Sequence, residues 1–495
     1  MVRRFRTPAI ATAAGGILPF AFAPYSFHPV AVLSLAIFFA LLKKASPTRS
    51  ALIGWCFGLG MFGHGVWWVQ VSLHQFGLPL YAFSVTMTVL FVAFMALFIA
   101  LTGYVIAHCP GNPGACRVLL VMPSVWIWGE WLREWLLSGF PWLLLGYSQI
   151  DSWLAGYVPV LGVHGGSLAV AVLAACLTLI THKQKWPVAL LAGVIVLSGW
   201  ALERMAWTTP VGPKLPVTLV QGAIPQSVKW EREFRARTLE FYETLSAPHW
   251  GDSLIIWPET AVPAFPEEVP EILGRLREIA SKHHTALLVG LPTGDRSGGP
   301  YFNSVVLLNA QDQHYDKHHL VPFGEYLPLD RLIRPVLNFL TIPMSSFTPG
   351  AAQQLPIRYG DLRLGVSICY EDAYADEVRK ALPEANMLVN VSDDSWFGDT
   401  IAPHQHLEIS RLRALESGRY LLRATNSGIS AIIDERGRVT GRSPQFQPFV
   451  LTGRATARAG TTPFVRWGHG PVLLLSALGL VGAGLTQRRR SFGRR

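Results

Sequence analysis

Two apolar segments are followed by residues that could carry out covalent catalysis. Cys369 follows Leu362–Ile368, and Glu259 follows Ser253–Trp257, both of which have the composition of buried strands. A thiolate is a potent nucleophile, and partial burial raises the pKa of a carboxylate toward that of a useful general base. Ligands of α/β domains bind at the carboxyl ends of strands. The pattern therefore predicts a nucleophilic cysteine and a general base at the mouth of a sheet.

Each of these residues also has a structural interpretation. Cys369 could be an apolar core residue, and Glu259 could cap a following helix. Lys317 follows a strand segment and a turn, where it could stabilise an oxyanion or be an ordinary surface lysine. His318 and His319 are adjacent, so in an extended segment they point to opposite faces, which argues against a shared metal ion.

The composition of the whole chain indicates a membrane protein with a polar domain attached. Half of the 495 residues are hydrophobic and 15% are charged, against about 25% in soluble proteins. Met205–Gly468 has 26 Lys and Arg against 28 Asp and Glu, and the remainder has 16 against 4. The polar region thus lacks the basic surface that binds nucleic acid. We predict a membrane domain of seven helices at 1–204, a catalytic domain at 205–468, and an eighth helix with a basic tail at 469–495.

Eight apolar segments have about the length that spans a bilayer, although the first two are short enough to be core helices instead. They are Pro8–Ala23, Pro29–Leu42, Leu52–Val71, Leu80–Ala107, Val118–Leu137, His164–Thr181, Pro187–Leu202 and Gly470–Thr486. With eight spans, 14 of the 16 basic residues outside the polar region fall on one side. The positive-inside rule then places both termini in the cytoplasm and 205–468 outside it. The basic N-terminal stretch is predicted to be a retained helix, because cleavage would break this alternation.

The polar region alternates strand-like and helical segments, which predicts an α/β domain with helices covering the sheet faces. The predicted strands are Pro216–Val220, Ser253–Trp257, Thr285–Gly290, Ser304–Asn309, Leu362–Ile368, Met387–Val391, Tyr420–Thr425 and Ile429–Asp434. The predicted helices are Arg232–Leu245, Glu268–His283 and His404–Ser417, the last with Leu407, Ser410, Arg411 and Ala414 on one face.

The motifs around these residues resemble those of known families. The nitrilase superfamily has a Glu–Lys–Cys triad in motifs similar to Trp257-Pro258-Glu259, Lys317-His318-His319-Leu320-Val321-Pro322-Phe323-Gly324-Glu325 and Ile368-Cys369-Tyr370-Glu371. Nearly the whole chain resembles the bacterial apolipoprotein N-acyltransferases, on the basis of these motifs, the eight spans and the segments 138–143, 220–226 and 396–399. One departure is Asp393, where the resemblance leads us to expect Asn.

The resemblance implies an extracytoplasmic nitrilase-like αββα domain that transfers acyl groups by a ping-pong mechanism. Glu259 would deprotonate Cys369, and Lys317 would stabilise the oxyanion. Among the neighbouring residues, Glu325, Tyr370 and Glu371 would support the triad, and Trp230 would line the substrate site.

The implied acyl donor is a membrane phospholipid, and the acceptor is the α-amino group of a diacylglyceryl-cysteine apolipoprotein. We expect a monomer in the lipid bilayer of the bacterial inner membrane, with the catalytic domain in the periplasm. No cofactor, metal ion or nucleotide is required by this chemistry, and the sequence has no zinc pattern or glycine-rich phosphate loop.

Two other functions are compatible with parts of the sequence. One is a membrane-tethered carbon–nitrogen hydrolase acting on a soluble amide or nitrile, which would leave the eight spans without a use. The other is a non-enzymatic lipid-binding protein, which the intact Glu259, Lys317 and Cys369 argue against. We also expect the uncharged segment 335–347 to form a mobile apolar lid beside the site, because Pro343 is unfavourable within a long regular element. The alternative is that this segment is an ordinary buried strand or helix.

Overall fold

The fold is described from a computed structural model, which covers residues 2–76, 80–109, 114–180, 185–295, 299–308, 313–328 and 346–492. Most of the segment 335–347 lies outside these residues, so the lid stays a prediction. The chain divides into two compact units. One comprises Met1–His74, Leu80–Ala206 and Arg466–Arg495, and the other includes Trp207–Val465.

The first unit is helical. Its longer helices are Val2–Ile17, Pro29–Leu42, Pro47–Gly65, Val69–Phe76, Tyr81–His108, Met122–Trp135, Val163–Thr178, Lys185–Glu203 and Gly470–Phe492. Within the described part of the chain, Tyr81–His108 and Lys185–Glu203 are long and apolar enough to cross a membrane. A third span results if Pro47–Gly65 and Val69–Gln75, bent by 58°, are counted as one. Two or three membrane-crossing helices are therefore supported by length and composition.

The predicted span Leu52–Val71 is broken after Gly65. A Cβ atom at Gly65 would lie 2.4 Å from Leu143 Cδ1, so a larger residue here would require the Leu143 side chain to move. Leu143 belongs to the segment 138–143, which Arg133 holds by donating to the carbonyl oxygens of Phe140 at 2.8 Å and Trp142 at 2.5 Å. Packing of this segment explains a break that hydropathy alone does not predict.

The second unit contains two six-stranded sheets and a two-stranded ribbon. Its strands are β1 (Thr208–Pro210), β2 (Leu215–Gln221), β3 (Leu254–Ile256), β4 (Ala286–Gly294), β5 (Tyr301–Leu307), β6 (His314–Asp316), β7 (Ile357–Tyr359), β8 (Leu362–Ile368), β9 (Met387–Ser392), β10 (Leu421–Thr425), β11 (Ala431–Ile433), β12 (Val439–Arg442), β13 (Phe449–Ala455) and β14 (Arg458–Gly460). The sheet orders are β13-β2-β3-β4-β5-β6 and β12-β11-β10-β9-β8-β7, and β1 pairs with β14.

Each sheet has three parallel strands at its centre and antiparallel strands at its edges. The parallel strands are β2, β3 and β4 in one sheet and β8, β9 and β10 in the other. Parallel strands must be connected by crossovers, and their carboxyl ends lie at the same edge of the sheet. The loops that follow β8, β9 and β10 therefore lie at one edge of their sheet, and the loop that follows β3 lies at the corresponding edge of the other sheet.

Successive side chains of a strand point to opposite faces of its sheet, and both faces of each sheet are covered here. The inner faces share one core that includes Leu219, Leu288, Leu364 and Val389. The outer faces are covered by helices: Arg232–Ser246 and Pro270–Lys282 on the first sheet, and Ala375–Arg379 and Ala402–Ser417 on the second. The unit is thus an αββα sandwich, which confirms the predicted α/β architecture with covered sheet faces.

The predicted strands coincide with observed ones, within a few residues at their ends. The helix predicted at His404–Ser417 spans Ala402–Ser417, and burial extends beyond the predicted face of Leu407, Ser410, Arg411 and Ala414. Most of its residues are buried, including Gln405, His406 and Glu408, because polar groups from distant loops pack around it. A helix buried on nearly all sides has no single apolar stripe.

Candidate active site

The three residues singled out by the sequence follow strands of the second unit. Lys317 directly follows β6, Cys369 directly follows β8, and Glu259 lies shortly after β3. The loop that carries Glu259 packs closely on β4, since a Cβ atom at Gly290 would lie 2.3 Å from the carbonyl oxygen of Pro258. The two-sheet sandwich therefore brings loops from both sheets together.

Cys369 lies at a sharp turn between β8 and a short helical turn at Cys369–Ala373. Its φ angle is 53°, a left-handed conformation that costs a non-glycine residue about 1–3 kcal/mol. Two contacts support the turn. The amide nitrogen of Ile368 donates to Glu371 Oε2 at 2.8 Å, and Asn390 Nδ2 donates to the Cys369 carbonyl at 3.2 Å. Strain maintained in this way is typical of a nucleophile presented at a strand end.

Lys317 lies between two carboxylates. Its Nζ is 2.8 Å from Glu325 Oε1 and 3.7 Å from Glu259 Oε1, and its side chain is 1% exposed. Asn303 Nδ2 donates to the same two oxygens, at 2.8 Å to Glu259 and 3.0 Å to Glu325. Glu325 Oε2 also accepts from the amide of Val321 at 2.8 Å. The ammonium group is therefore fixed in position and charged.

The electrostatics of the cluster follow from burial and these contacts. Burial raises the pKa of Glu259, and nearby Glu325 raises it further, whereas Lys317 and the Asn303 amide lower it. Burial lowers the pKa of Lys317, but the carboxylates of Glu325 and Glu259 outweigh this and raise it. Burial and the negative charge of Glu259 also raise the pKa of Cys369, whereas the positive charge of Lys317 lowers it by less. The thiol is thus protonated at rest and requires a base to become a nucleophile.

Glu371 links the cysteine turn to the lysine loop. Besides the Ile368 amide, it accepts from the amide nitrogens of His318 at 2.7 Å and His319 at 2.9 Å, and from Tyr315 Oη at 3.1 Å. Burial raises the pKa of Glu371 to about 7 in spite of these donors. The carboxylate holds two loops from different sheets in one arrangement.

The two remaining predicted site residues differ in their surroundings. Tyr370 accepts from Tyr374 Oη at 2.6 Å and lies beside the ring of His319. Trp230 follows the short helix Gln226–Lys229, and 51% of its surface is exposed. The preceding residue, Lys229, donates to the carbonyl oxygen of Glu259, and an exposed indole in this position is suited to contact a substrate.

The sequence matches two family models, which together cover most of the chain. Residues 14–176 match the apolipoprotein N-acyltransferase N-terminal domain, and residues 216–463 match the carbon–nitrogen hydrolase family. The apolipoprotein N-acyltransferase of Methylococcus capsulatus is 45% identical, with 97% of this chain and 96% of the relative covered. Relatives of the same name from Coxiella burnetii and Vibrio cholerae are 39% and 38% identical, covering 94% and 98% of this chain and 97% and 98% of the relatives.

This chain belongs to the apolipoprotein N-acyltransferase family. The family resemblance deduced from the sequence is confirmed. Among solved structures, an amidase from Nesterenkonia sp. matches with 18% identity and a TM-score of 0.38, covering 53% of this chain and 97% of the amidase.

The structure also shows how the chain accommodates the departure from the expected motif at Asp393. The buried ammonium of Lys229 lies 2.6 Å from Asp393 Oδ2 and donates to the carbonyl oxygen of Glu259 at 3.1 Å. Asn426 Nδ2 donates to both oxygens of Asp393, at 3.3 and 3.2 Å. Lys229 therefore neutralises the extra carboxylate and joins it to the Glu259 loop. Sequence reasoning missed Lys229 because a lysine beside Trp230 is ordinarily exposed.

A second group that the sequence did not reveal lies behind the turn that carries Cys369. Arg423, fully buried on β10, donates to Asp394 Oδ2 at 2.9 Å and Asn390 Oδ1 at 2.6 Å. His406 lies 2.9 Å from both Asp372 Oδ1 and Asp394 Oδ1. Burial and Arg423 lower the pKa of His406, but the two carboxylates raise it to about 9. We call these five residues the buried network, which joins the turn after Cys369 to β9 and β10.

Proposed function

We propose that this chain transfers a fatty acyl group from a membrane phospholipid to the α-amino group of the diacylglyceryl-cysteine at the N-terminus of apolipoproteins. Relatives up to 45% identical over nearly the full length bear the name of this activity. The observation that carries the chemical assignment is the buried cluster of Glu259, Lys317 and Glu325, which lies close enough to Cys369 for the charges of Glu259 and Lys317 to shift the pKa of its thiol.

In the first half-reaction, Glu259 takes the proton from Cys369 Sγ, and the thiolate attacks the carbonyl carbon of a phospholipid ester. The Lys317 ammonium stabilises the negative charge that develops on the carbonyl oxygen. When the tetrahedral intermediate collapses, the C–O bond breaks and Glu259 returns the proton to the departing lysophospholipid. The product is a thioester between the acyl chain and Cys369.

In the second half-reaction, the α-amino group of the apolipoprotein attacks the thioester carbonyl. Glu259 accepts a proton from the amine, the C–S bond breaks, and Sγ of Cys369 recovers a proton. A thioester is reactive enough to acylate an amine without a metal ion or nucleotide. Glu325, Tyr370 and Glu371 position the triad, and exposed Trp230 contacts a substrate.

The transfer itself is tested with vesicles of phospholipid that carry an isotopically labelled acyl chain and a synthetic diacylglyceryl-cysteine peptide. Mass spectrometry should find the label in amide linkage to the peptide's α-nitrogen, and Cys369→Ala should give none. Release of the label as free fatty acid without peptide acylation would instead identify a hydrolase. Binding of lipid with neither product would identify a non-enzymatic protein.

Asn303 offers a test of the proposed base that depends on pH. Its amide stabilises the charged form of Glu259, so Asn303→Ala should raise the pKa of that carboxylate further. Because the deprotonated form is the active one, the acid limb of the acylation rate should move to higher pH. The rate is measured from pH 4 to pH 9 by quenched mass spectrometry.

The control for this variant is Asn386→Ala, which removes an amide that bonds the Asp361 carbonyl instead. Its acid limb should coincide with that of the unmodified protein. An unchanged acid limb in Asn303→Ala would contradict the assignment of Glu259 as the base.

We further propose eight membrane spans, with both termini in the cytoplasm and the catalytic domain in the periplasm of the inner membrane. The support is the charge alternation of the sequence. In a cysteine-free background, single cysteines at Gln226 and Gln445 should react with an impermeant maleimide in intact spheroplasts. Cysteines at Lys44 and Arg490 should react only after lysis. The reverse pattern would contradict the topology.

A further inference from the structure

A second cluster of chemically capable side chains lies in the helical unit. Glu134 lies near the end of the helix Met122–Trp135, His164 is the second residue of Val163–Thr178, and His469 directly precedes Gly470–Phe492. They are far apart in the sequence, but all three are buried, with 7%, 0% and 7% of their surfaces exposed. The acyl-transfer chemistry uses none of them.

The three side chains converge on one point. His164 Nε2 lies 3.5 Å from Glu134 Oε2, and His469 Nε2 lies 3.8 Å from Glu134 Oε1. One ligand atom from each residue can be chosen so that all lie within 4.8 Å of one another. The imidazole rings are 4.9 Å apart and nearly perpendicular, at 88°. Tetrahedral zinc with bonds of about 2.0–2.2 Å separates its ligand atoms by roughly 3.3–3.6 Å, so a small contraction would bring these atoms into place.

The chemical types of the three ligand atoms indicate which metal ion the cluster would bind. Two imidazole nitrogens and one carboxylate oxygen form a set that binds Zn²⁺ and leaves a fourth position open to water. Ca²⁺ and Mg²⁺ prefer oxygen ligands, and Cu(I) prefers sulfur, so neither group matches the two histidines. The cluster is therefore suited to a first-row divalent transition metal.

We propose that Glu134, His164 and His469 bind one Zn²⁺ ion, with a water molecule as the fourth ligand. The ion joins the ends of three helices that are separate in the sequence. Because metal binds only where the three ligands are assembled, it stabilises the folded helical unit. The sequence has no zinc pattern because the ligands come from three helix ends rather than one short motif.

The test uses the full-length protein in detergent, purified without a histidine tag, stripped with EDTA and dialysed against micromolar Zn²⁺. Metal analysis should find about one zinc ion per chain. The single variant Glu134→Gln should retain only background zinc. The double variant that combines His164→Ala with His469→Ala should do the same. His108→Ala is the matched control, because His108 lies at the end of another helix and bonds the Tyr104 carbonyl. It should bind zinc as the unmodified protein does.

Two further measurements on the unmodified protein remain informative if a variant fails to fold. Co²⁺ should give the intense visible absorption of a tetrahedral site, and Zn²⁺ should raise the midpoint of thermal unfolding by a few degrees above that in EDTA. The proposal would be overturned if the unmodified protein bound no more zinc than the double histidine variant. It would also be overturned if the unfolding midpoint were the same in Zn²⁺ and in EDTA. Those results would identify the cluster as hydrogen-bonded side chains only.

Discussion

Glu259→Gln is expected to lower the rate of acyl-enzyme formation by about 10²–10⁴-fold, the range that a general base contributes. Gln keeps the shape of the side chain and an oxygen that can accept from Asn303, while Lys317 keeps its contact with Glu325 at 2.8 Å. The variant should therefore fold normally and lose only the ability to take the thiol proton. Single-turnover mass spectrometry with phospholipid vesicles measures the rate.

The matched control is Glu243→Gln, which makes the same chemical change in an ion pair with the largely exposed Arg275. Its acylation rate should equal that of the unmodified protein. If Glu259→Gln formed the acyl-enzyme as fast as this control, the proton would have another acceptor and the proposed mechanism would be wrong.

Arg423→Ala has the largest expected effect on stability. The guanidinium is fully buried and neutralises Asp394 at 2.9 Å, with Asp372 at 3.4 Å. Its removal leaves two buried carboxylates with His406 as their one cationic partner among the described residues. Breaking a buried ion pair costs about 3–5 kcal/mol, which corresponds to roughly 6–20 °C in the unfolding midpoint of a domain of this size.

The comparison is with Arg438→Ala, which breaks an ion pair between Asp434 and an arginine that is 71% exposed. A pair with an exposed partner contributes about 0–1 kcal/mol. Asp434 also keeps the amide nitrogens of residues 436 and 438 as donors, so this variant should unfold close to the unmodified protein. The midpoints of thermal unfolding are measured for both full-length variants and the unmodified protein in detergent. Equal midpoints would show that the buried network does not support the catalytic domain.

The parts of the fold that could be predicted from the sequence are those encoded by local patterns. The apolar runs of β3, β8 and β9 predict buried strands, and the residues after them predict where a site forms. The pairing of β13 with β2 is different, because its exposed and buried residues alternate weakly and its partner lies more than two hundred residues away. Long-range pairing of this kind has no local signal.

The residues of the candidate site also divide into those that a local sequence motif indicates and those that only long-range contacts reveal. The sequence pattern indicates Glu259, Lys317 and Cys369, and the family resemblance adds Glu325, Tyr370 and Glu371. The structure places Lys317 within 3.7 Å of Glu259 and 2.8 Å of Glu325. Asn303 was missed because a single asparagine in a strand gives no sign that its amide meets two carboxylates. Its contacts are set by sheet geometry, since β5 and the Glu259 loop are adjacent only after folding.

Polar residues that stabilise the interior were also missed. His406 and Gln405 in the helix Ala402–Ser417 would face solvent in an ordinary amphipathic helix, but both are buried here. The burial of His406 is favourable because Asp372 and Asp394 provide ionic partners from other elements. Such partners cannot be identified from one segment at a time.

The most direct test of the central claim is the mass of the intact protein after incubation with phospholipid in the absence of an acceptor peptide. We expect an increase equal to one acyl chain, located on Cys369 by fragmentation. The increase should be absent in Cys369→Ala and lost when a diacylglyceryl-cysteine peptide is added. An adduct on another residue, or peptide acylation by Cys369→Ala, would contradict a thioester intermediate at this cysteine.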